Sequence, residues 1–212
     1  MTLLTVVMTV VASVAVVVSV REMWRGEDVG GSISSSHIKD WRQYAAGGSS
    51  IGDDRAPVAV VVFSDYQCPF CRILNKELRG LDSLDPHRFR IVYRHYPLEM
   101  HPHAFEAAVS AVCADKQHVF PAYHDRLFAQ QESIGVKPWS RFARDVGVSN
   151  VAQFDACIKN PMTAAIVARD TLAAAQLGIR ATPAILVDGI LFSGSPGTDT
   201  LAVYIKRALV EK

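Results

Sequence analysis

Pro57-Val-Ala-Val-Val-Val-Phe-Ser-Asp-Tyr-Gln-Cys-Pro-Phe-Cys-Arg72 is the stretch on which the reading of this 212-residue chain turns. Val58 to Phe63 is an unbroken apolar run rich in β-branched residues, the pattern of a strand buried on both faces. Ser64 to Gln67 is a polar turn. From Cys71 to Leu81 the apolar positions Ile73, Leu74, Leu78 and Leu81 fall at helical spacing. Pro69 stands in the first turn of that helix, where proline is tolerated. Two cysteines three apart therefore open a helix that follows a buried strand. Cys68 is expected to project from the exposed N-terminus, with Cys71 one turn further in. Unpaired backbone N–H groups and the positive end of the helix dipole favour a thiolate there, so a lowered pKa is expected for Cys68. This order reads as a redox motif. A static disulfide and half of a zinc site are the other readings of a C-x-x-C. A zinc site takes about four N or S ligands, and no second C-x-x-C or C-x-x-H accompanies the first.

Working outward, half of the residues are apolar and 20% are charged. That suits one globular domain with something short attached. A net charge of +1 leaves no basic footprint for nucleic acid. Leu3 to Val20 carries no charge and is mostly valine, leucine and alanine. Its eighteen residues would reach about 27 Å as a helix, close to the roughly 30 Å of a bilayer core. A membrane-inserting segment is expected over 3–20, with Trp24 as an interfacial anchor and the length favouring an uncleaved anchor over a cleaved signal. Arg21 and Arg25 on its C-terminal flank would by the positive-inside rule argue for a cytoplasmic domain. The disulfide chemistry argues for the outside, and is preferred. Residues 26–36 read as a linker, His37 to Ala46 as a short helix or edge strand, and Gly47 to Ala56 as a loop.

Beyond the first helix, Arg88 to His95 alternates as a strand does. Helical spacing then marks 103–114, 119–130, 138–146, 151–159 and 163–177. Ile185 to Val187 and Ile190 to Phe192, joined at Asp188-Gly189, signal a hairpin, and 200–210 a final amphipathic helix. Strand, helix, strand, helical block, hairpin and helix make an α/β layer fold.

Three segments carry a family resemblance. Phe63-Ser-Asp-Tyr-Gln-Cys-Pro-Phe-Cys71 resembles the active-site segment of the DsbA-like thiol:disulfide oxidoreductases. Tyr93-Arg-His-Tyr-Pro-Leu98 with His101-Pro102 resembles the family's second strand and the entry to its helical insertion, and Gly178-Ile-Arg-Ala-Thr-Pro-Ala-Ile-Leu-Val187 its cis-proline loop. They stand in the family's order and cover about residues 50 to 211. The resemblance implies a thioredoxin-like fold with a helical insertion, preceded here by the N-terminal hydrophobic segment. The division expected is 1–22 anchor or signal segment, 23–50 linker and N-terminal extension, and 51–212 thioredoxin-like domain, with the insertion at about 101–178. The resemblance also implies a cis bond before Pro183, with Thr182 and Pro183 presenting backbone to an extended substrate chain. Without it, Pro183 would read as a proline at an exposed strand start.

The chemistry expected is exchange of disulfides with cysteine-containing proteins outside the cytoplasm. Cys68 and Cys71 are the redox pair and Pro69 and Phe70 its tuning residues. The strongly oxidising prototype carries a histidine where this chain has Phe70, so a milder oxidant is expected. The family often carries a buried acid six residues before the first cysteine, and here that position is Val62. Asp65 is read equally as a loop cap or a catalytic group. A disulfide donor is favoured, since the chain shows no extra dimerisation domain of the kind disulfide isomerases carry. A reductase or isomerase stays open, because Thr182 resembles isomerase-type loops, as does a non-catalytic peptide-binding or chaperone module. A quinone-linked membrane oxidase or a reductase would regenerate the pair. No cofactor is expected.

Four cysteines allow three pairings. Proximity pairs Cys68 with Cys71 and leaves Cys113 with Cys157, as a structural disulfide if the compartment is oxidising and as two buried thiols if not. His95, His101 and His103, with no partnering cysteine or acid cluster, read as capping or surface groups rather than a metal site. His118 and His124 do not change that.

Overall fold

Residues 34–210, those that the computed structural model describes, place the valine run inside a six-stranded sheet. In chain order the strands are β1 (Ser35–His37), β2 (Ser49–Ile51), β3 (Val58–Ser64), β4 (Phe89–His95), β5 (Ala184–Val187) and β6 (Ile190–Ser193). The helices are α1 (Pro69–Leu84), α2 (Ala104–Asp115), α3 (Phe120–Ala129), α4 (Trp139–Asp145), α5 (Val151–Ile158), α6 (Pro161–Gln176) and α7 (Thr198–Val210). Single 3-10 turns cover Trp41–Ala45 and Gln131–Ser133. The sheet order is β1-β6-β5-β3-β4-β2. β3 runs parallel to β4, and every other neighbouring pair is antiparallel. The parallel pair is closed by α1, as a βαβ unit requires.

Alternation along β3 explains why its run is continuous rather than striped. Val58, Val60 and Val62 pack into the larger core with Leu74, Leu78, Leu201 and Ile205. Ala59, Val61 and Phe63 pack into the core on the other face with Trp41, Ala174 and Leu186. Both faces are thus covered, and each fully buried Val or Phe stabilises the fold by roughly 1.5–3 kcal/mol. α2 to α5 form the helical block between β4 and α6, and a disulfide joins Cys113 of α2 to Cys157 of α5 across 44 residues of chain.

Of the stretch 23–50, residues 23–33 lie outside the described residues. The linker reading at 35–36 and the loop reading over 47–56 need correction, while the 3-10 turn Trp41–Ala45 falls where a short helix or edge strand is read over 37–46. β1 pairs with β6 through Ser35, Ser36 and His37, and β2 pairs with β4 through Ser49, Ser50 and Ile51. Between them the 3-10 turn is fastened to β4 by Arg94. This buried guanidinium donates to the carbonyls of Tyr44 (2.9 Å) and Ala46, and pairs with buried Asp170 of α6 at 2.8 Å. Pairing with a longer neighbour, not any pattern of their own, makes these three-residue segments strands. Among the described residues no helix is long and apolar enough to cross a membrane; the segment 3–20 lies outside them.

Candidate active site

β3 ends at Ser64, and the chain turns through Asp65, Tyr66 and Gln67 into Cys68, the N-cap of α1. Pro69 occupies the first helical turn. An N-cap serine or aspartate would accept from the free N–H groups of that turn. Here no side-chain cap bond is made, and the sulfur stands in that place. The Thr182–Pro183 bond is cis, and the loop brings the Thr182 carbonyl to 3.3 Å from Cys68 Sγ, which donates to it. Cys71 sits one turn on, 2% exposed, and its Sγ accepts from the backbone N–H of Asp65 at 3.5 Å. Both thiols are free.

Cys68 is not the projecting thiol that its position suggests: it is 4% exposed, beneath the cis-proline loop. The exposed residue of the motif is Phe70, at 65%. The two sulfurs differ sharply in acidity. A hydrogen bond with Cys71 chiefly holds the Cys68 thiol well below the ordinary range, against the opposing effect of burial, with Thr182 and the backbone N–H groups of Cys71 and Phe70 adding to it. Burial, and then the neighbouring Cys68, push the Cys71 thiol up. A thiolate is therefore favoured at the first cysteine and a thiol at the second.

The loop that carries Cys68 is held by buried polar groups. Asp65 accepts from the N–H of Gln67 at 2.7 Å through Oδ1. Its Oδ2 accepts from the N–H of Leu98 at 2.8 Å and from His101 Nδ1 at 2.7 Å. Asp65 thus caps the loop, and His101 is its partner rather than a surface group. His103 precedes α2, and its N–H donates to Gln67 Oε1 at 2.6 Å. Gln131, from the 3-10 turn after α3, donates from Nε2 to the carbonyls of Tyr66 (2.7 Å) and Cys68 (3.0 Å). Its neighbour Glu132 pairs with Arg72.

Behind the pair lies a buried polar cluster. Tyr66 Oη donates to His124 Nδ1, His124 Nε2 donates to Asn75 Oδ1, and Tyr93 Oη donates to the same oxygen, each at 2.9 Å. The amide oxygen accepts only, so the proton of His124 resides on Nε2. Burial drives the His124 pKa well down and that of His95 to about 4, so both rings are neutral near pH 7. His95 is fully enclosed at the end of β4, and His118 stands in a left-handed turn. None of the five histidines singled out in the sequence gathers with cysteines or acids in a metal-binding group among the described residues. Cys113 and Cys157 lie in the helical block, where Cys113 is 1% exposed. Sequence reasoning missed Gln67, Asn75 and Gln131; each acts over a long separation, 63 residues for Gln131 and Cys68, and no local pattern announces it.

Comparison with known proteins follows this geometry. A family model described as Thioredoxin matches residues 45–207. A thioredoxin-like oxidoreductase from Silicibacter pomeroyi DSS-3 is 30% identical, over 75% of this chain and 90% of that one, with a TM-score of 0.64. DsbA2 of Pseudomonas aeruginosa is 26% identical, over 75% of this chain and 92% of that one, with a TM-score of 0.63. The Na(+)/H(+) antiporter NhaA 3 of Salinispora tropica is 30% identical over 158 residues, which make up 74% of this chain and 24% of the antiporter. The chain thus spans about a quarter of the length of the curated relatives it matches. With its C-x-x-C at a helix N-terminus, its cis-proline loop and these likenesses, the chain belongs to the thioredoxin family.

Proposed function

We propose that this protein donates disulfides to cysteine-containing proteins outside the cytoplasm. The observation that carries the reading is the split in acidity between Cys68 and Cys71 beneath the Thr182 carbonyl. A depressed first thiol stabilises the reduced pair, and so makes its disulfide the more oxidising. In the forward reaction a substrate thiolate attacks Cys68 Sγ of the disulfide. Cys71 leaves, and takes a proton in its buried setting. A second substrate thiolate attacks the substrate sulfur of the mixed disulfide, and Cys68 leaves as the thiolate. Two electrons thereby pass from the substrate to the pair. Pro69 and Phe70 tune the pair, and Thr182 and Pro183 hold the substrate backbone alongside it.

The extracytoplasmic reading is supported by the Cys113–Cys157 disulfide, a bond of the kind that persists in oxidising compartments. That bridge is read as structural. The uncharged segment 3–20 would anchor the domain to a membrane, where a quinone-linked oxidase could reoxidise the pair. The experiment is the reduction potential of the Cys68–Cys71 pair in the full chain against a glutathione buffer. A value nearer about −120 mV supports the disulfide donor, and one nearer about −270 mV makes the protein a reductase. The absence of any reversible couple would leave a peptide-binding module.

A further inference from the structure

The three residues before Pro69 are each tied to the helical block, and the ties converge from two loops. Gln131 Nε2 reaches the carbonyls of Tyr66 and Cys68, which bracket Gln67. The Gln67 side chain is taken by the N–H of His103, from the loop that opens the block. The two loops also touch. Gly135 has a φ of +89°, and a Cβ there would lie 2.2 Å from the His103 ring. Only glycine lets the loop after Gln131 close against His103. On the outer side, Glu132 grips Arg72, so consecutive residues 131 and 132 straddle the N-terminus of α1.

We propose that Gln131 is a positioning residue for disulfide exchange, reaching from the helical block to hold the main chain at Cys68 where its sulfur meets the Thr182 carbonyl. This deepens the exchange reading above and rests on it. The physical reason is local. The Cys68 carbonyl is an electron-rich neighbour of its own sulfur. It already accepts the first helical bond, from Arg72 N–H at 3.3 Å. A second donor from Gln131 places more positive partial charge at that oxygen, and lessens its repulsion of a thiolate. The same amide braces the main chain that carries the sulfur, through the carbonyls of Tyr66 and Cys68. Gln131 touches neither sulfur, and it works through the carbonyl.

The test uses the full-length chain with Gln131→Ala and Gln131→Glu. Three readouts are taken: thiolate absorbance of Cys68 against pH, the exchange equilibrium constant with glutathione, and the thermal midpoint. Loss of the amide is expected to weaken thiolate formation by about tenfold, the upper size of one hydrogen bond between neutral groups. The equilibrium constant should then move about tenfold toward the less oxidising side, which is about 30 mV. Gln131→Glu, which sets a carboxylate against two carbonyl oxygens, should move both further. An unshifted Cys68 titration in both variants overturns the proposal; accompanied by a lower thermal midpoint, it would make Gln131 merely structural. If the unaltered protein shows no reversible couple, the proposed function fails, but the titration of Cys68 still decides the role of Gln131.

Discussion

The two cysteine pairs of this chain are made of the same atoms and have opposite characters. Cys113 and Cys157 sit on two helices of the block, 44 residues apart in sequence, and are joined. Cys68 and Cys71 share one helix terminus, three residues apart, and are free. The difference lies in what surrounds the sulfurs. The first pair is packed among apolar neighbours, with the Thr163 hydroxyl 3.5 Å from Cys157 Sγ. The second stands where backbone N–H groups, a cis-proline carbonyl and a buried polar loop converge. Unequal acidity makes the second pair fit to exchange, while a long closed loop makes the first fit to stabilise.

The largest effect should come from exchanging those characters. Cys68→Ser is expected to abolish disulfide exchange entirely in an insulin- or peptide-based assay, with the thermal midpoint nearly unchanged. Removing the other pair should do the reverse. Cys113→Ala with Cys157→Ala should leave the exchange rate at low temperature intact while stability falls by about 4 kcal/mol, the chain-entropy figure for a loop of this length. Urea melts read it directly. If exchange were lost and stability kept, the assignment of the two pairs would be reversed.

Alkylation sharpens the comparison within the active pair. Thiolates react and thiols do not, so the reduced protein at pH 6 should be alkylated at Cys68 about a hundredfold faster than at Cys71. The rate at Cys68 should decline only at a pH well below that of an ordinary thiol. Peptide mapping after brief iodoacetamide treatment would show it, and equal labelling would contradict the acidity split.

The smallest effect concerns the two buried histidines, His95 and His124. Burial lowers the His95 pKa from its ordinary 6.5 to about 4, and depresses that of His124 in the same direction. Between these values the unfolded chain binds protons that the folded chain refuses. Stability is therefore present above about 6.5 and is lost as pH falls toward 4. From pH 7 to pH 5, His95 alone should remove about 2 kcal/mol. Urea melts at the two pH values measure the slope, and His95→Asn should flatten it.

Much of this arrangement was legible because it is written in long local patterns. The valine run named β3, the apolar spacing from Ile73 to Leu81 named α1, and the helical periods after β4 lie within about two residues of α2 to α6. What could not be read is short or distant. β1 and β2 have three residues each, too few to show a period of two, and their Ser-Ser sequences resemble a linker. The site was legible at Cys68 and Cys71 and silent at Gln131, whose contacts are made by folding rather than by spacing. The projecting Cys68 was misjudged for the same reason: the loop that covers it arrives 114 residues later.

The three-residue outer strands have a meaning for a domain that, as proposed, spends its time among unfolded chains. Such chains seek open backbone, and a long bare strand at a sheet margin would capture them by strand addition and seed aggregates. Among the described residues β1 and β2 offer Ser35–His37 and Ser49–Ile51 at the two margins. Strands this short give uninvited chains little backbone to pair with. Under the exchange reading proposed above, an extended client would instead align beside Pro183, next to the Cys68 sulfur that would react with it.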